Sequence, residues 1–98
     1  MIGFTAKALR QIDALRQHYA RLARPEAMRN LAAAMQEAAD RIEADPTAGL
    51  PAPRPYPELA RPGRAWVRSG RYWVLYRTTT PPAVIAVFYD TADIPRRL

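Results

Sequence analysis

The fold is decided by the last third of the chain, which reads Ala65-Trp66-Val67-Arg68-Ser69-Gly70-Arg71-Tyr72-Trp73-Val74-Leu75-Tyr76-Arg77 and then Ala83-Val84-Ile85-Ala86-Val87-Phe88-Tyr89-Asp90. β-Branched and aromatic residues recur in a pattern that is typical of strands. Ser69-Gly70 and the Thr-Thr-Pro-Pro run at 79–82 provide the turn residues between them. The pattern predicts three short strands at roughly 65–69, 71–78 and 83–89.

The middle predicted strand has two unlike faces, because successive side chains of a strand point to opposite sides. One face carries Tyr72, Val74, Tyr76 and Thr78, and the other carries Arg71, Trp73, Leu75 and Arg77. Arginine is rarely buried without a partner. We therefore expect the odd-numbered face to be open and the even-numbered face to be packed against the rest of the chain.

Two helices are predicted before the sheet. Thr5 is a suitable N-cap for a helix running to about Arg24, and Pro25 suits the first turn of a second helix that ends at Asp45-Pro46. Apolar side chains recur at helical spacing in each, namely Ala8, Ile12, Leu15, Tyr19 and Leu22, and then Met28, Leu31, Met35, Ala38 and Ile42. The short joint predicts an antiparallel hairpin that covers the even-numbered face of the sheet.

The segment between helices and sheet is rich in proline. Residues 46–62 hold six of the ten prolines, so neither a helix nor a central strand can persist there. We interpret it as a stiff strap across the domain surface, pinned by Tyr56 and Leu59. The predicted organisation is a single α+β domain over residues 1–98: a helix hairpin at about 5–45, the strap at 46–64, a small antiparallel sheet at 65–90 and a tail at 91–98.

Composition narrows the chemistry. The chain lacks cysteine and has one histidine, His18, so we expect no metal site and no cofactor. No apolar run approaches membrane-spanning length, and we expect a cytoplasmic protein that does not bind a membrane. The net charge is +6; residues 51–98 contribute +5 of it, and fourteen of the fifteen cations are arginine. This excess favours a polyanion or an acidic protein as partner.

The arginines of the predicted sheet offer three interpretations. The set is Arg64, Arg68, Arg71 and Arg77, and Trp73 lies between the last two in the sequence. An exposed ring beside arginines is suited to single-stranded nucleic acid, with charge on phosphate and ring on base. The same face is equally suited to an acidic amphipathic peptide. Alternatively, the tryptophan is buried and the arginines extend their charged heads past it into solvent.

The order of these segments resembles the RelE/ParE superfamily, the toxins of type II toxin–antitoxin modules that are also described as plasmid stabilisation proteins. The resemblance rests on Phe4-Thr5 opening a helix with Ala8, on Asp45-Pro46 followed by Gly49, on the 71–77 and 84–89 strands, and on Asp93-Ile94-Pro95-Arg96-Arg97-Leu98. It spans nearly the whole chain. The family's first strand would correspond to Met1–Phe4, and the resemblance implies a RelE/ParE-like fold.

The superfamily has two activities. RelE-like members cleave messenger RNA on the ribosome without a metal, whereas ParE-like members bind DNA gyrase. RNA-cleaving members commonly have arginine where Trp73 stands and arginine or histidine where Asp90, Thr91 and Ala92 stand. The resemblance therefore implies a ParE-like growth inhibitor that is not an enzyme. The alternatives are a ribosome-dependent endoribonuclease using Arg68, Arg71, Arg77 and Tyr89, and a non-toxic member held by its antitoxin.

The resemblance also implies partners. These are DNA gyrase or the ribosome as the target, and a cognate antitoxin with an acidic C-terminal segment that wraps the basic surface. The residues expected to contact target or antitoxin are Arg64, Arg68, Arg71, Trp73, Arg77, Arg96 and Arg97.

Overall fold

The helix hairpin forms as the apolar stripes predict. A computed structural model describes residues 2–98. Helix α1 spans Ala6–Arg21, and Thr5 caps it by accepting a hydrogen bond from the Ala8 amide on its side-chain oxygen at 3.2 Å. Helix α2 spans Pro25–Ala44, with proline in its first turn. The predicted antiparallel pair is therefore confirmed, and its second helix ends one residue before Asp45.

The first helix ends three residues earlier than predicted. The cause is Ala23, whose φ of +52° belongs to the left-handed region and stops the helical hydrogen bonding. Leu22 consequently leaves the apolar stripe and is 53% exposed. The bend lets α2 start at Pro25 after only three linking residues.

The sheet has four strands in the order β1-β4-β3-β2. Strands β2, β3 and β4 span Arg64–Ser69, Tyr72–Arg77 and Ala83–Tyr89, close to the predicted ranges, and pair antiparallel. Strand β1, Gly3–Phe4, pairs parallel with β4. The sheet is therefore mixed, whereas the sequence predicted a wholly antiparallel sheet. Met1, the first residue of the expected strand, lies outside the described residues.

A two-residue turn joins β2 to β3. Ser69 lies opposite Tyr72, so Gly70 and Arg71 form the turn, and Gly70 has φ +56°. A positive φ at the first turn position suits the right-handed twist of the strands, and glycine adopts it without steric cost. Arg71 was expected at the start of the middle strand; it instead lies in the exposed turn.

The main core lies between the helix hairpin and the even-numbered face of β3, as predicted. Tyr72, Val74 and Tyr76 pack there with residues of both helices, including Leu31 and Ile42. All five side chains are nearly inaccessible to solvent. Burial of this apolar surface is the main free-energy source that holds the hairpin on the sheet.

The opposite face of the sheet is also covered, which contradicts the prediction of an open face. Trp73 is only 4% exposed, and it lies in a second buried cluster with Trp66, Leu75, Ala86, Phe88 and Ile94. Leu50, Tyr56 and Leu59 of the strap pack onto this cluster. The prediction failed because the strap and the C-terminal helix α3, Ile94–Arg97, supply an apolar cover that strand periodicity alone does not reveal.

Main-chain pairing and a tyrosine fix the strap. The Leu50 and Trp66 backbones exchange two hydrogen bonds of 2.7 Å, so the strap adds one bridge to the outer edge of β2. The Tyr76 hydroxyl donates to the Pro46 carbonyl at 2.7 Å and accepts from the Gly49 amide at 3.1 Å. Burial raises the pKa of Tyr76, so this hydroxyl stays protonated and able to donate.

Candidate functional site: basic clefts beside the sheet

The arginines predicted on the sheet lie in two groups at opposite ends of β3. Arg64 and Arg77 face each other in the register of β2 and β3, and the Arg77 Nε donates to the Pro81 carbonyl at 3.2 Å. Arg68 and Arg71 lie at the turn end. The four strand steps from Trp73 to Arg77 span roughly 13 Å. The predicted arginines therefore do not form one continuous site.

Arg68 is held in place by three features. Its Nη2 donates to Asp90 Oδ2 at 2.7 Å, its guanidinium carbon lies 5.9 Å from the centre of the Trp73 ring, and its carbonyl accepts from Arg41 Nη1 at 2.7 Å. The Asp90 side chain is 16% exposed and that of Arg68 is 52% exposed. The Arg68 guanidinium therefore lies over the buried Trp73 ring while about half of the Arg68 side chain remains exposed, as in the third interpretation of the sequence.

The first basic cleft, here the strap cleft, lies between the strap, the end of β2 and β4. It has a volume of about 500 Å³, and its lining includes Arg41, Arg54, Arg68, Trp73 and Asp90. The lining thus includes three arginines and one acidic residue, and Arg41 also pairs with Glu37 at 3.4 Å. Asp90 Oδ1 is buried and forms no hydrogen bond within residues 2–98. An acidic ligand suits this cleft better than a basic one.

The second basic cleft, here the hairpin cleft, lies between the bend of the helix hairpin and the Gly70-Arg71 turn. It has a volume of about 1010 Å³, and Arg24, Arg29 and Arg71 line it together with Glu26 and Glu37. None of the ion pairs found between described residues involves these three arginines. Their charges therefore remain available to a partner.

Tyrosines form the inner wall of the hairpin cleft. The Tyr19 and Tyr72 hydroxyls are hydrogen-bonded at 2.6 Å, and the Tyr72 and Tyr89 rings meet edge to face with centres 5.6 Å apart. Burial, followed by the hydrogen bond with Tyr19, raises the pKa of Tyr72 far above its ordinary value. Tyr72 is therefore a neutral structural group at physiological pH and not a base.

A third depression, here the edge groove, lies between α1 and the outer edge of β4. It has a volume of about 690 Å³, and its lining includes Gln11, Leu15, His18, Val87 and Arg97. Of the two predicted C-terminal arginines, only Arg97 lines this groove. Arg96 is 87% exposed and pairs with Asp93 at 3.6 Å.

The residues suggested for RNA cleavage do not converge. Arg68 lies in the strap cleft, Arg71 and Tyr89 line the hairpin cleft, and Arg77 lies at the far end of the sheet. Tyr89 packs with the core on the helix side of the sheet, whereas Arg68 stacks on the strap side. General acid–base catalysis requires its groups within hydrogen-bond reach of one reacting centre. No single reacting centre lies within reach of all four of these side chains.

Sequence reasoning missed the arginines that complete the clefts. Arg24, Arg29, Arg41 and Arg54 come from the helix bend, α2 and the strap, and they join the predicted residues only after the chain has folded. Their one signal in the sequence is their position away from the apolar stripes.

Residues 2–98 contain no group of three His, Cys, Asp or Glu side chains that could hold a metal ion. In the same range, no helix is long and apolar enough to span a membrane.

A helix hairpin packed on a four-stranded mixed sheet defines an α+β fold that is consistent with RelE/ParE-like toxins. The sequence model described as ParE toxin of type II toxin-antitoxin system, parDE, matches residues 2–89 of the 98. The chain therefore belongs to the ParE toxin family, which confirms the resemblance seen in its sequence. Membership implies a cognate antitoxin as partner. No curated protein matches the chain.

Proposed function

We propose that this toxin inhibits growth by binding DNA gyrase through its basic clefts, without catalysing a reaction. The observation that carries the proposal is the distribution of the arginines. Arg24, Arg29 and Arg71 line the hairpin cleft and belong to none of the ion pairs found between described residues, while the four residues suggested for RNA cleavage are separated. Such a surface favours recognition of a protein over chemistry at one point.

The strap cleft is the second part of the proposed contact surface. Arg41 and Arg54 are exposed at its rim, and Arg68 is half exposed although it pairs with Asp90. An acidic segment of a target could bind the rim arginines without breaking that ion pair. Trp73 belongs to the floor beneath Arg68, so its expected role shifts from direct contact to support of the arginine.

The cognate antitoxin is proposed to neutralise the toxin by covering the same basic surface with an acidic segment. Charge complementarity would speed association and would select against basic partners. Because target and antitoxin would compete for the clefts, an arginine substitution that weakens one interaction is expected to weaken the other as well.

The function is tested with purified protein and gyrase, and by inducing the toxin without its antitoxin. The proposal expects inhibited supercoiling, accumulation of cleaved DNA, induction of the SOS response and intact transcripts. Codon-spaced cuts in messenger RNA with unaffected supercoiling would support the endoribonuclease instead. Normal growth at full expression would leave only the role of a non-toxic, antitoxin-bound family member.

Matched arginine variants locate the contact surface. Arg71→Ala and Arg54→Ala remove exposed charges from the two clefts, and Arg16→Ala removes one from α1, where Arg16 pairs with Asp13 at 2.9 Å. We expect the first two to weaken gyrase inhibition and the third to leave it unchanged. Equal inhibition by all three would place the contact elsewhere. Arg64→Ala and Arg77→Ala test the far end of the sheet in the same assay.

A further inference from the structure

Arg64 and Arg77 form a pair of like charges on the side of the sheet that the strap covers. They lie directly opposite each other in the register of β2 and β3, and both are exposed. Alternation along the strands places Arg64 on the same face as Trp66, and Arg77 on the same face as Leu75, in the cluster beneath the strap. Like charges directly opposite each other destabilise a sheet. None of the ion pairs found between described residues includes either arginine, so this cost has no offset from a carboxylate within that set.

Two further cations accompany Arg64 at this end of the sheet. A depression of about 330 Å³, here the Arg64 pocket, is lined by Lys7, Arg61 and Arg64 together with apolar side chains, and its lining contains neither aspartate nor glutamate. Arg61 Nη1 donates to the Glu58 and Ala60 carbonyls at 3.0 and 2.7 Å, which holds this guanidinium against the strap backbone. The side-chain charges in the lining of the Arg64 pocket are therefore all positive.

The Arg64 pocket and the strap cleft lie on the same face of the molecule, because Trp66 lines both. Arg64 and Arg68 mark the two depressions, and four strand steps, roughly 13 Å, separate them along β2. The acidic residue of the strap cleft, Asp90, pairs with Arg68, and Glu58 lies in the strap. We call this surface the strap face and define it by its cations, which are Lys7, Arg41, Arg54, Arg61, Arg64, Arg68 and Arg77.

The aromatic side chains distinguish between the polyanions that this face could bind. All nine lie in the described residues and none is exposed; Trp66 and Trp73, beneath the strap face, are 1% and 4% exposed. Single-stranded nucleic acid is held by exposed rings on which its bases stack. A duplex keeps its bases stacked inside and presents about one negative charge per 1.7 Å of its axis. The roughly 13 Å between the two groups of cations therefore corresponds to about eight phosphate charges of a duplex.

We propose that the strap face binds the phosphate backbone of double-stranded DNA without reading its sequence. Guanidinium groups suit this role because they are permanently charged and can donate two parallel hydrogen bonds to one phosphate. RNA duplexes are recognised partly through their 2′-hydroxyls. The linings of the two depressions contain no serine, asparagine or glutamine for such contacts.

The inference goes beyond the proposed function, because it needs no gyrase. The hairpin cleft is lined by Tyr72 and Tyr89, whose side chains belong to the core on the helix side of the sheet. The strap face lies on the opposite side, above the cluster that contains Trp66 and Trp73. The hairpin cleft therefore remains available to a protein while the strap face contacts DNA.

The direct test measures fluorescence anisotropy of a labelled DNA duplex of about 20 base pairs with the full-length toxin and without gyrase. We expect a micromolar Kd at physiological salt, and a plot of log K against log salt with a slope of about −4 or steeper, since each neutralised phosphate contributes about −0.9. A duplex of shuffled sequence should bind equally well, to within about twofold. A single strand of the same length and an RNA duplex should each bind at least about threefold more weakly.

Charge-reversal variants with the same change of net charge locate the contact. Arg64→Glu and Arg54→Glu should each weaken DNA binding about tenfold or more and make the salt slope shallower by about 1 or more. Arg21→Glu alters an exposed residue of α1, on the helix side of the sheet, and should change binding by less than about threefold. Arg64→Glu should also raise Tm, because it places opposite charges where Arg64 and Arg77 now repel each other. A purely structural role for Arg64 would not combine higher stability with weaker DNA binding.

Three outcomes would overturn the inference. They are an equal loss of binding in all three variants, which would show an effect of net charge alone, a single strand that binds as tightly as the duplex, and tighter binding to phosphatidylserine vesicles than to DNA. Thermal unfolding of each variant checks that it remains folded. Because gyrase is absent from these measurements, failure to bind DNA leaves the proposed function intact. A chain that binds DNA but does not inhibit gyrase removes the proposed function and leaves the DNA contact.

Discussion

The hydroxyl groups of Tyr19 and Tyr72 lie 2.6 Å apart in the seam between α1 and β3, where both side chains are buried. This contact joins the helix hairpin to the sheet through a polar pair inside an otherwise apolar core. Burial and the hydrogen bond keep the Tyr72 hydroxyl neutral by raising its pKa, because an ionised phenolate at this position would lose its solvation.

Alkaline pH should therefore destabilise the protein. In the unfolded chain tyrosine has a pKa of about 10, whereas in the folded state the pKa of Tyr72 is higher, so the folded state binds more protons above pH ~10. The stabilisation is fully present below the unfolded pKa and is lost as pH rises through the folded pKa. Urea unfolding at several alkaline pH values should show a falling midpoint, and Tyr72→Phe should flatten the fall. An equally steep fall in the variant would assign the effect to other groups.

Substitution of Trp73 should lower the free energy of unfolding, as expected for a buried residue and not for one at the surface. Its ring is 4% exposed and belongs to the cluster beneath the strap, so Trp73→Ala should cost about 3–5 kcal/mol of unfolding free energy through lost burial and a cavity. Arg71→Ala, in the exposed turn, should change stability by less than about 0.5 kcal/mol. Denaturant unfolding compares the two. A loss of toxicity in Trp73→Ala can be read as lost binding only if that variant remains folded.

Gly49 is the position where the strap tolerates no side chain. A Cβ atom there would collide with the Tyr76 hydroxyl and would approach both Ala65 Cβ and the Trp66 carbonyl to 3.0 Å. Gly49→Ala should therefore lower the free energy of unfolding by about 1–3 kcal/mol, because the strap must shift off β2. Gly3→Ala is the matched control, since nothing lies within 4 Å of a Cβ at Gly3. Equal stabilities of the two variants in urea would show that the strap adapts freely.

The Arg68–Asp90 pair should contribute measurably to stability, unlike the more exposed Asp93–Arg96 pair. The first has a 2.7 Å separation and a carboxylate that is 16% exposed; the second has a 3.6 Å separation and a carboxylate that is 57% exposed. Double-mutant cycles with alanine should give a coupling free energy of up to about 1 kcal/mol for the first pair and near zero for the second. Raising the salt concentration should reduce the coupling free energy of the Arg68–Asp90 pair. A larger coupling free energy for Asp93–Arg96 than for Arg68–Asp90 would contradict the expectation that the less exposed ion pair is the stronger one.

Much of the fold could be predicted because local patterns specify it. Thr5 and Pro25 mark the starts of the two helices, and the strand pattern gives every end of β2, β3 and β4 to within one residue. The parallel pairing of Gly3–Phe4 with β4 was less accessible, because two residues carry almost no periodicity. The early end of α1 depends on the left-handed backbone conformation of Ala23, which the residue type alanine does not predict.

The site was predicted less completely, because its parts meet only in three dimensions. The sequence by itself determined the two helices, the hairpin at Gly70, the even-numbered core face and the excess of arginine, since these follow from propensity, spacing and composition. Tertiary structure decided that the strap and α3 bury Trp73, that Arg68 pairs with Asp90, and that helix and strap arginines complete the clefts. The physical reason is that burial and charge pairing depend on contacts between segments far apart in the chain.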